Sequence, residues 1–241
     1  MSKVKVVQKQ GVINEEGKVI VPLKYDYVTV LQCGIYAAVV GDVELKEEES
    51  IRKKHYHYKR LSPVKDKSKV HLYSDKGEII FTEPILEYIV TDDDLEKIVA
   101  VKVLDAWRLV EFDYENNILK SYYSIADEIL DVCDGYIAVK RLNEGCTVYS
   151  LKNWERILDL READKITIIK KSGFVVYEKK TGKAGFYNLS GGMILDYEWD
   201  WMECHLDHIQ VKEYHSMLDV VKRRARYSYD GVELQMVVYK N

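Results

Sequence analysis

A strand-and-turn pattern returns along this chain about every 38 residues. A period of that length builds stacked or ring-closed supersecondary units, not one irregular core. One strand type carries the count: Ile35–Val40, Ile98–Lys102, Tyr136–Lys140, Phe174–Glu178 and His208–Lys212 are short β-branched and aromatic runs. From Ala100 to Ala138 to Val176 the steps are 38 and 38, the next step, to Gln210, is 34, and Ala38 to Ala100 is 62. A second strand type stands before tight turns, at Val12-Ile13, Val70–Tyr73, Leu109–Phe112, Thr147–Tyr149, Gly185–Tyr187 and Arg226–Tyr229. Glycine, asparagine or aspartate follows at each turn, the residues that tolerate positive φ. An apolar strand comes next, as in Val19-Ile20-Val21, Arg156-Ile157-Leu158 and Met193-Ile194-Leu195.

The pattern predicts an all-β fold of about six repeated three-stranded antiparallel units. Their approximate spans are 10–43, 69–104, 105–142, 143–180, 181–214 and 215–241 together with 1–9. The units form one β-repeat domain, either a propeller-like ring or an open stack. In the ring, Val4-Lys5-Val6-Val7 completes the last unit and hides its edge. Residues 44–68 fall outside the period and form an insertion. Within it Glu48 and Arg52, and Glu49 and Lys53, sit four apart, which predicts a short solvated helix before an extended stretch at His55–Arg60. Insertions in repeat proteins emerge on one face, often the working one.

Bulk properties exclude several classes. Of 241 residues, 47% are hydrophobic and 32% charged, as in an ordinary globular chain. A net charge of −4 supplies no global field toward nucleic acid or anionic lipid, so any such contact must be local. Residues 1–7 lack the apolar core of a signal peptide, and the longest uncharged stretch, Tyr27 to Gly41, is too short and polar to span a bilayer. No membrane partner is expected. The four cysteines, Cys33, Cys133, Cys146 and Cys204, form no CxxC pair, and reduced thiols in the cytoplasm are the reading.

The run Gly11-Val12-Ile13-Asn14-Glu15-Glu16-Gly17-Lys18-Val19-Ile20-Val21-Pro22-Leu23-Lys24-Tyr25-Asp26 resembles the WG-repeat (KWG) family. Units of that family read Trp-Gly, hydrophobic, Asp or Asn, Gly-Lys, an apolar triplet, Pro and Tyr-Asp. Gln10 stands where the family has tryptophan; Gly185-Phe186 again has the glycine alone, and Trp107 the tryptophan alone. The resemblance implies a β-rich repeat module without a uniform activity, and it brings no catalytic residues.

Two basic runs are the candidate ligand sites. Arg52, Lys53, Lys54, Lys59 and Arg60 offer phosphate contacts, and Tyr56 and Tyr58 offer stacking planes. Against this stands a surface hairpin with merely solvated charges. Arg224 and Arg226, which strand alternation places beside Lys222, suit a phosphate clamp, against which a solvated, charge-defended sheet edge is the stronger reading. Trp199 and Trp201 alternate with acids in Glu198-Trp199-Asp200-Trp201, which predicts a shared face, either a partner hot spot or core between units. Glu203-Cys204-His205-Leu206-Asp207-His208 holds metal-ligand residue types without paired spacing, so no metal is assigned. No phosphate loop, GxSxG or catalytic set is present, so no catalytic residue and no cofactor is assigned.

The leading expectation is a non-enzymatic module that presents loops and the insertion to a protein partner. The alternative is a cytosolic binder or sponge of a phosphate-containing nucleotide or short oligonucleotide, as in phage counter-defence. A hydrolase ranks third.

Overall fold

The computed structural model describes residues 8–31, 34–41, 43–49, 56–63, 69–81, 83, 85–91, 98–104, 106–113, 116, 118–214 and 220–239. The chain divides into two compact units, 1–125 and 126–241, and among the described residues every regular element is a β-strand.

In the first unit, β1 (Gln10–Ile13) and β2 (Val19–Tyr25) form a hairpin. Gly17 takes a φ of +79° in its turn, and Asn14 closes it by accepting the Lys18 amide at 2.8 Å. Then come β3 (Tyr27–Val30), β4 (Tyr36–Val40), β5 (Val43–Glu49), β6 (Tyr56–Pro63) and β7 (Lys69–Tyr73). They are followed by β8 (Glu87–Thr91), β9 (Ile98–Val103), β10 (Ala106–Asp113) and β11 (Ile118–Ala126). β3, β4 and β7 make one antiparallel sheet, and the order β11-β10-β9-β8-β6-β5 makes another. The two sheets share an apolar cluster that includes Ile35, Val39, Val70, Leu72, Tyr88, Val90 and Val101. Tyr25 and Tyr73, buried, share a hydrogen bond of 2.6 Å and join β2 to β7.

The second unit repeats itself three times. Its sheets are β12 (Glu128–Cys133), β13 (Tyr136–Arg141), β14 (Gly145–Ser150) and β15 (Arg156–Leu160); β16 (Ala163–Ile169), β17 (Gly173–Glu178), β18 (Ala184–Asn188) and β19 (Met193–Trp199); and β20 (Trp201–Cys204), β21 (Ile209–Tyr214), β22 (Val221–Tyr227) and β23 (Glu233–Val238). Each sheet lays one face on the next. Leu158 packs with Ile166, Ile168, Phe174 and Val176 in one cluster. Val175, Phe186 and Leu195 pack with Met202, Ile209, Val211 and Ala225 in another. Each such buried side chain stabilises the stack by roughly 1.5–3 kcal/mol. Polar ties cross the first junction: Asp131 accepts the Ile168 amide at 2.8 Å and Asp134 the Lys171 amide at 2.8 Å.

The all-β repeat architecture agrees with the sequence pattern, but the number and grouping of strands differ. These sheets have four strands, not three. The added strands are β12, β16 and β20, in stretches that read as loop because charged residues break their apolar run (Asp131, Asp164 and Lys165, Glu203). Pairing also crosses the sequence units. β13, the last strand of one unit, is hydrogen-bonded to β14, the first strand of the next. Short turns select the antiparallel neighbour, so the motif and the sheet are out of phase. The last sheet reaches four strands within 201–238. Val4–Val7, assigned to complete a ring, lies outside the described residues.

The insertion is corrected as well. Glu47–Glu49 belong to β5, not to a helix, with Glu47 opposite Lys59 and Glu48 opposite Tyr58. The i,i+4 charge pairs favour a helix by only about 0.2–0.5 kcal/mol each, less than a ladder of cross-strand partners supplies. Residues 50–55 lie outside the described residues.

Candidate functional site

Strand alternation sorts the side chains of the last sheet into two faces. One carries Met202, Ile209, Val211 and Ala225 and packs on the sheet before it. The other carries Trp201, Gln210, Lys212, Arg224, Arg226 and Gln235, by the registers Trp201↔Lys212, Lys212↔Arg224, Gln210↔Arg226 and Arg226↔Gln235. In the preceding sheet the corresponding face is apolar, with Val175 and Phe186 buried. Here Arg224, Arg226 and Gln235 are exposed. A shallow depression between them is lined by Gln210, Arg224, Arg226, Gln235 and Val237.

The cations on this face meet aromatic rings. Lys212 Nζ lies 4.2 Å from the Trp201 ring centre, and the Arg224 guanidinium lies 5.8 Å from that of Tyr239. Such contacts contribute about 0.5–1 kcal/mol at exposed positions, and they hold flexible cations over flat apolar supports. Among the described residues, no ion pair engages Lys212, Arg224 or Arg226. Their charges are therefore available to an anionic partner.

Arg223, one position away, is spent on the fold. Its guanidinium lies 4.4 Å from the Trp199 ring centre and bonds Glu198 at 2.8 Å and the Glu213 carboxylate. Glu213 also takes Lys222 at 3.0 Å. Burial works against that carboxylate's charge, yet the bonds from Lys222 and Arg223 hold Glu213 below the ordinary range. Among the described residues Lys222 is thus tied to a carboxylate, and Arg224 and Arg226 are not.

The other sequence candidates separate. Trp199 and Trp201 do not share a face of one strand: Asp200 is a bend, and the two rings end one sheet and begin another. Trp199 is 3% exposed and belongs to the core between sheets, the second of the two alternatives and not a partner hot spot, whereas Trp201 is half-buried under Lys212. Arg52, Lys53 and Lys54 lie outside the described residues. Tyr56, Tyr58, Lys59 and Arg60 lie on β6, which has β5 on one side and β8 on the other, so their backbone is interior to a sheet. His205 and His208 stack with ring centres 4.6 Å apart, and His208 Nδ1 lies 2.7 Å from Asp207. Among the described residues, no group of three or more His, Cys, Asp or Glu is arranged to hold a metal.

Lys212, Gln210 and Tyr239 were missed. The alternation of His208-Ile209-Gln210-Val211-Lys212 already placed Gln210 and Lys212 together, but the cross-strand register that brings Arg226 and Arg224 beside them is not a property of either strand alone.

Comparison with known proteins agrees with the repeat reading. Residues 11–42 match the WG containing repeat family, the segment that carries the Gly-x-x-Asn pattern. No curated protein sequence matches the chain. Solved structures with a similar course include a eukaryotic initiation factor, at 12% identity and a TM-score of 0.43 over 94% of this chain and 70% of that one. The computationally designed Ika8 protein is 8% identical with a TM-score of 0.37 over 92% and 78% of the two chains. BamB from Moraxella catarrhalis is 9% identical with a TM-score of 0.32 over 100% and 91%. Among the described residues no helix is long and apolar enough to cross a membrane.

Proposed function

We propose that this chain is a non-enzymatic binding module that presents the basic, aromatic face of its last sheet to an acidic protein partner. One observation carries the reading: Arg224 and Arg226 project from a continuous strand, exposed and, among the described residues, without ion pairs, beside Lys212 on Trp201. Cations held on aromatic supports lose little freedom when a carboxylate arrives, and opposite potentials speed encounter and reject like-charged surfaces. The protein works in a reducing compartment such as the cytoplasm, a reading supported by the free, buried thiol of Cys146 and by the absence of any CxxC pair in the sequence.

The test is affinity capture from cells that make the protein, with wild-type and Arg224→Glu/Arg226→Glu matrices run in parallel. The charge-reversed matrix loses a saturable, salt-sensitive species that wild type retains. Equal recovery on both matrices overturns the reading.

The same two guanidinium groups favour a second reading, a phosphate-bearing nucleotide or short oligonucleotide stacked on Tyr239 or Trp201. A thermal-shift screen against nucleotides and oligonucleotides separates the two. Saturable stabilisation that weakens with salt and vanishes in the double variant selects the nucleotide.

A further inference from the structure

We propose that β23 is an open docking edge that takes an extended segment of the partner, alternately acidic and aliphatic, as a fifth strand of the last sheet. The proposal rests on the reading above and specifies what the partner offers.

Its first support is burial. In the two preceding sheets the fourth strand seats a leucine in the core, Leu158 at 5% exposure and Leu195 at 7%. In β23, Leu234, Met236 and Val238 are 57%, 37% and 63% exposed. Alternation places Met236 and Val238 on one face, opposite the positions of Gln235 and Val237, while Leu234 lies where the register with β22 shifts. Aliphatic side chains with so little cover are unusual for a finished sheet edge.

The second support is the backbone. The Tyr239 amide donates to the Lys222 carbonyl at 3.0 Å. The register Arg223↔Val238 and Arg224↔Val237 continues from it. Antiparallel bonding alternates, so Val237 and Gln235 turn their amides and carbonyls toward β22. Met236 and Val238 turn theirs outward. Among the described residues β23 pairs with β22 alone. Its sequence, Glu-Leu-Gln-Met-Val-Val, holds no lysine or proline, the residues that ordinarily blunt an edge.

The third support is charge. Residues of an added strand on the Gln235 face lie two strand spacings, about 9.6 Å, from the row of Arg224 and Arg226. A glutamate and an arginine reaching toward each other cross that gap. Residues on the opposite face meet Met236 and Val238. The fitting segment therefore alternates acid with aliphatic, and strand addition supplies its main-chain bonds.

The probe is a synthetic decapeptide of alternating glutamate and valine, with alternating lysine and valine as control. The acidic peptide binds saturably and slows exchange of the Met236 and Val238 amides at least about tenfold, while the lysine peptide does neither. Met236→Pro removes an amide that β22 does not use, so the fold persists and affinity for the acidic peptide falls about tenfold, the loss of one hydrogen bond. If that variant unfolds, Leu234→Lys/Val238→Lys serves instead and weakens the same peptide. Failure of the acidic peptide to bind overturns the proposal. So does unchanged affinity in the edge variants, protection of the outward amides in the free protein, or a dimer through this edge that the peptide does not dissolve. The two claims fail separately: partner capture lost in Arg224→Glu/Arg226→Glu but retained in Met236→Pro leaves the basic face standing and removes the docking edge.

Discussion

Asp131 is a carboxylate placed where charge is expensive. It is 7% exposed on β12, and it accepts the Val132 amide at 2.9 Å and the Ile168 amide of the next sheet at 2.8 Å. Desolvation outweighs those two bonds and raises its pKa to about 6. In the unfolded chain the group titrates near the usual aspartate value of about 3.9. The folded protein therefore binds the proton more tightly, and stability falls as pH rises from about 4 to about 6. The contribution at stake is on the order of 3 kcal/mol. Asp131→Asn keeps the shape and cannot ionise. In denaturant melts across pH 4 to 7, the variant gains on wild type by a few kcal/mol as pH increases. A constant difference across that range refutes the account.

Strand β14 shows what an element requires before it can pair on both sides. Gly145 opens it with a φ of +86°, and a Cβ there meets the Leu160 carbonyl oxygen at 2.2 Å and Arg161 Cα at 2.5 Å. Both contacts are backbone, of the end of β15 and of the turn that follows it, so neither yields easily. Gly145→Ala combines left-handed strain of about 1–2 kcal/mol with a forced shift of β15. A loss of about 2–4 kcal/mol in equilibrium unfolding is expected. At this scale the sequence was informative where residues act locally. The β13 and β17 runs were legible because Ile137 and Val175 sit in β-branched and aromatic stretches that are largely buried, and β21 because buried Ile209 and Val211 alternate with Gln210 and Lys212. The β12, β16 and β20 strands were not, since Asp131 and Glu203 read as loop until a partner strand or an amide from the next sheet explains them. Nor could one strand disclose the basic face, which exists only through the pairing of β21 with β22.

In the second unit, stability is carried by junctions between sheets. The middle sheet enters both: Phe174 and Val176 lie in the cluster shared with β12–β15, and Val175 and Phe186 in the cluster shared with β20–β23. In such an array each sheet is held by its neighbours alone, so a cavity weakens the junction it opens before it weakens others. The last sheet has a neighbour on one face and a polar, charged surface on the other. Phe186→Ala removes a fully buried ring from the junction it depends on, at a cost of about 3–5 kcal/mol. Hydrogen exchange under native conditions should then accelerate most in β21 and β22, less in β17 and least in β13. Phe174→Ala opens the other junction and should reverse the gradient, with β13 and β14 accelerated more than β22. Uniform acceleration throughout residues 126–241 in both variants means instead that the three sheets open as one cooperative body and that the last sheet has no independent freedom with which to admit a partner.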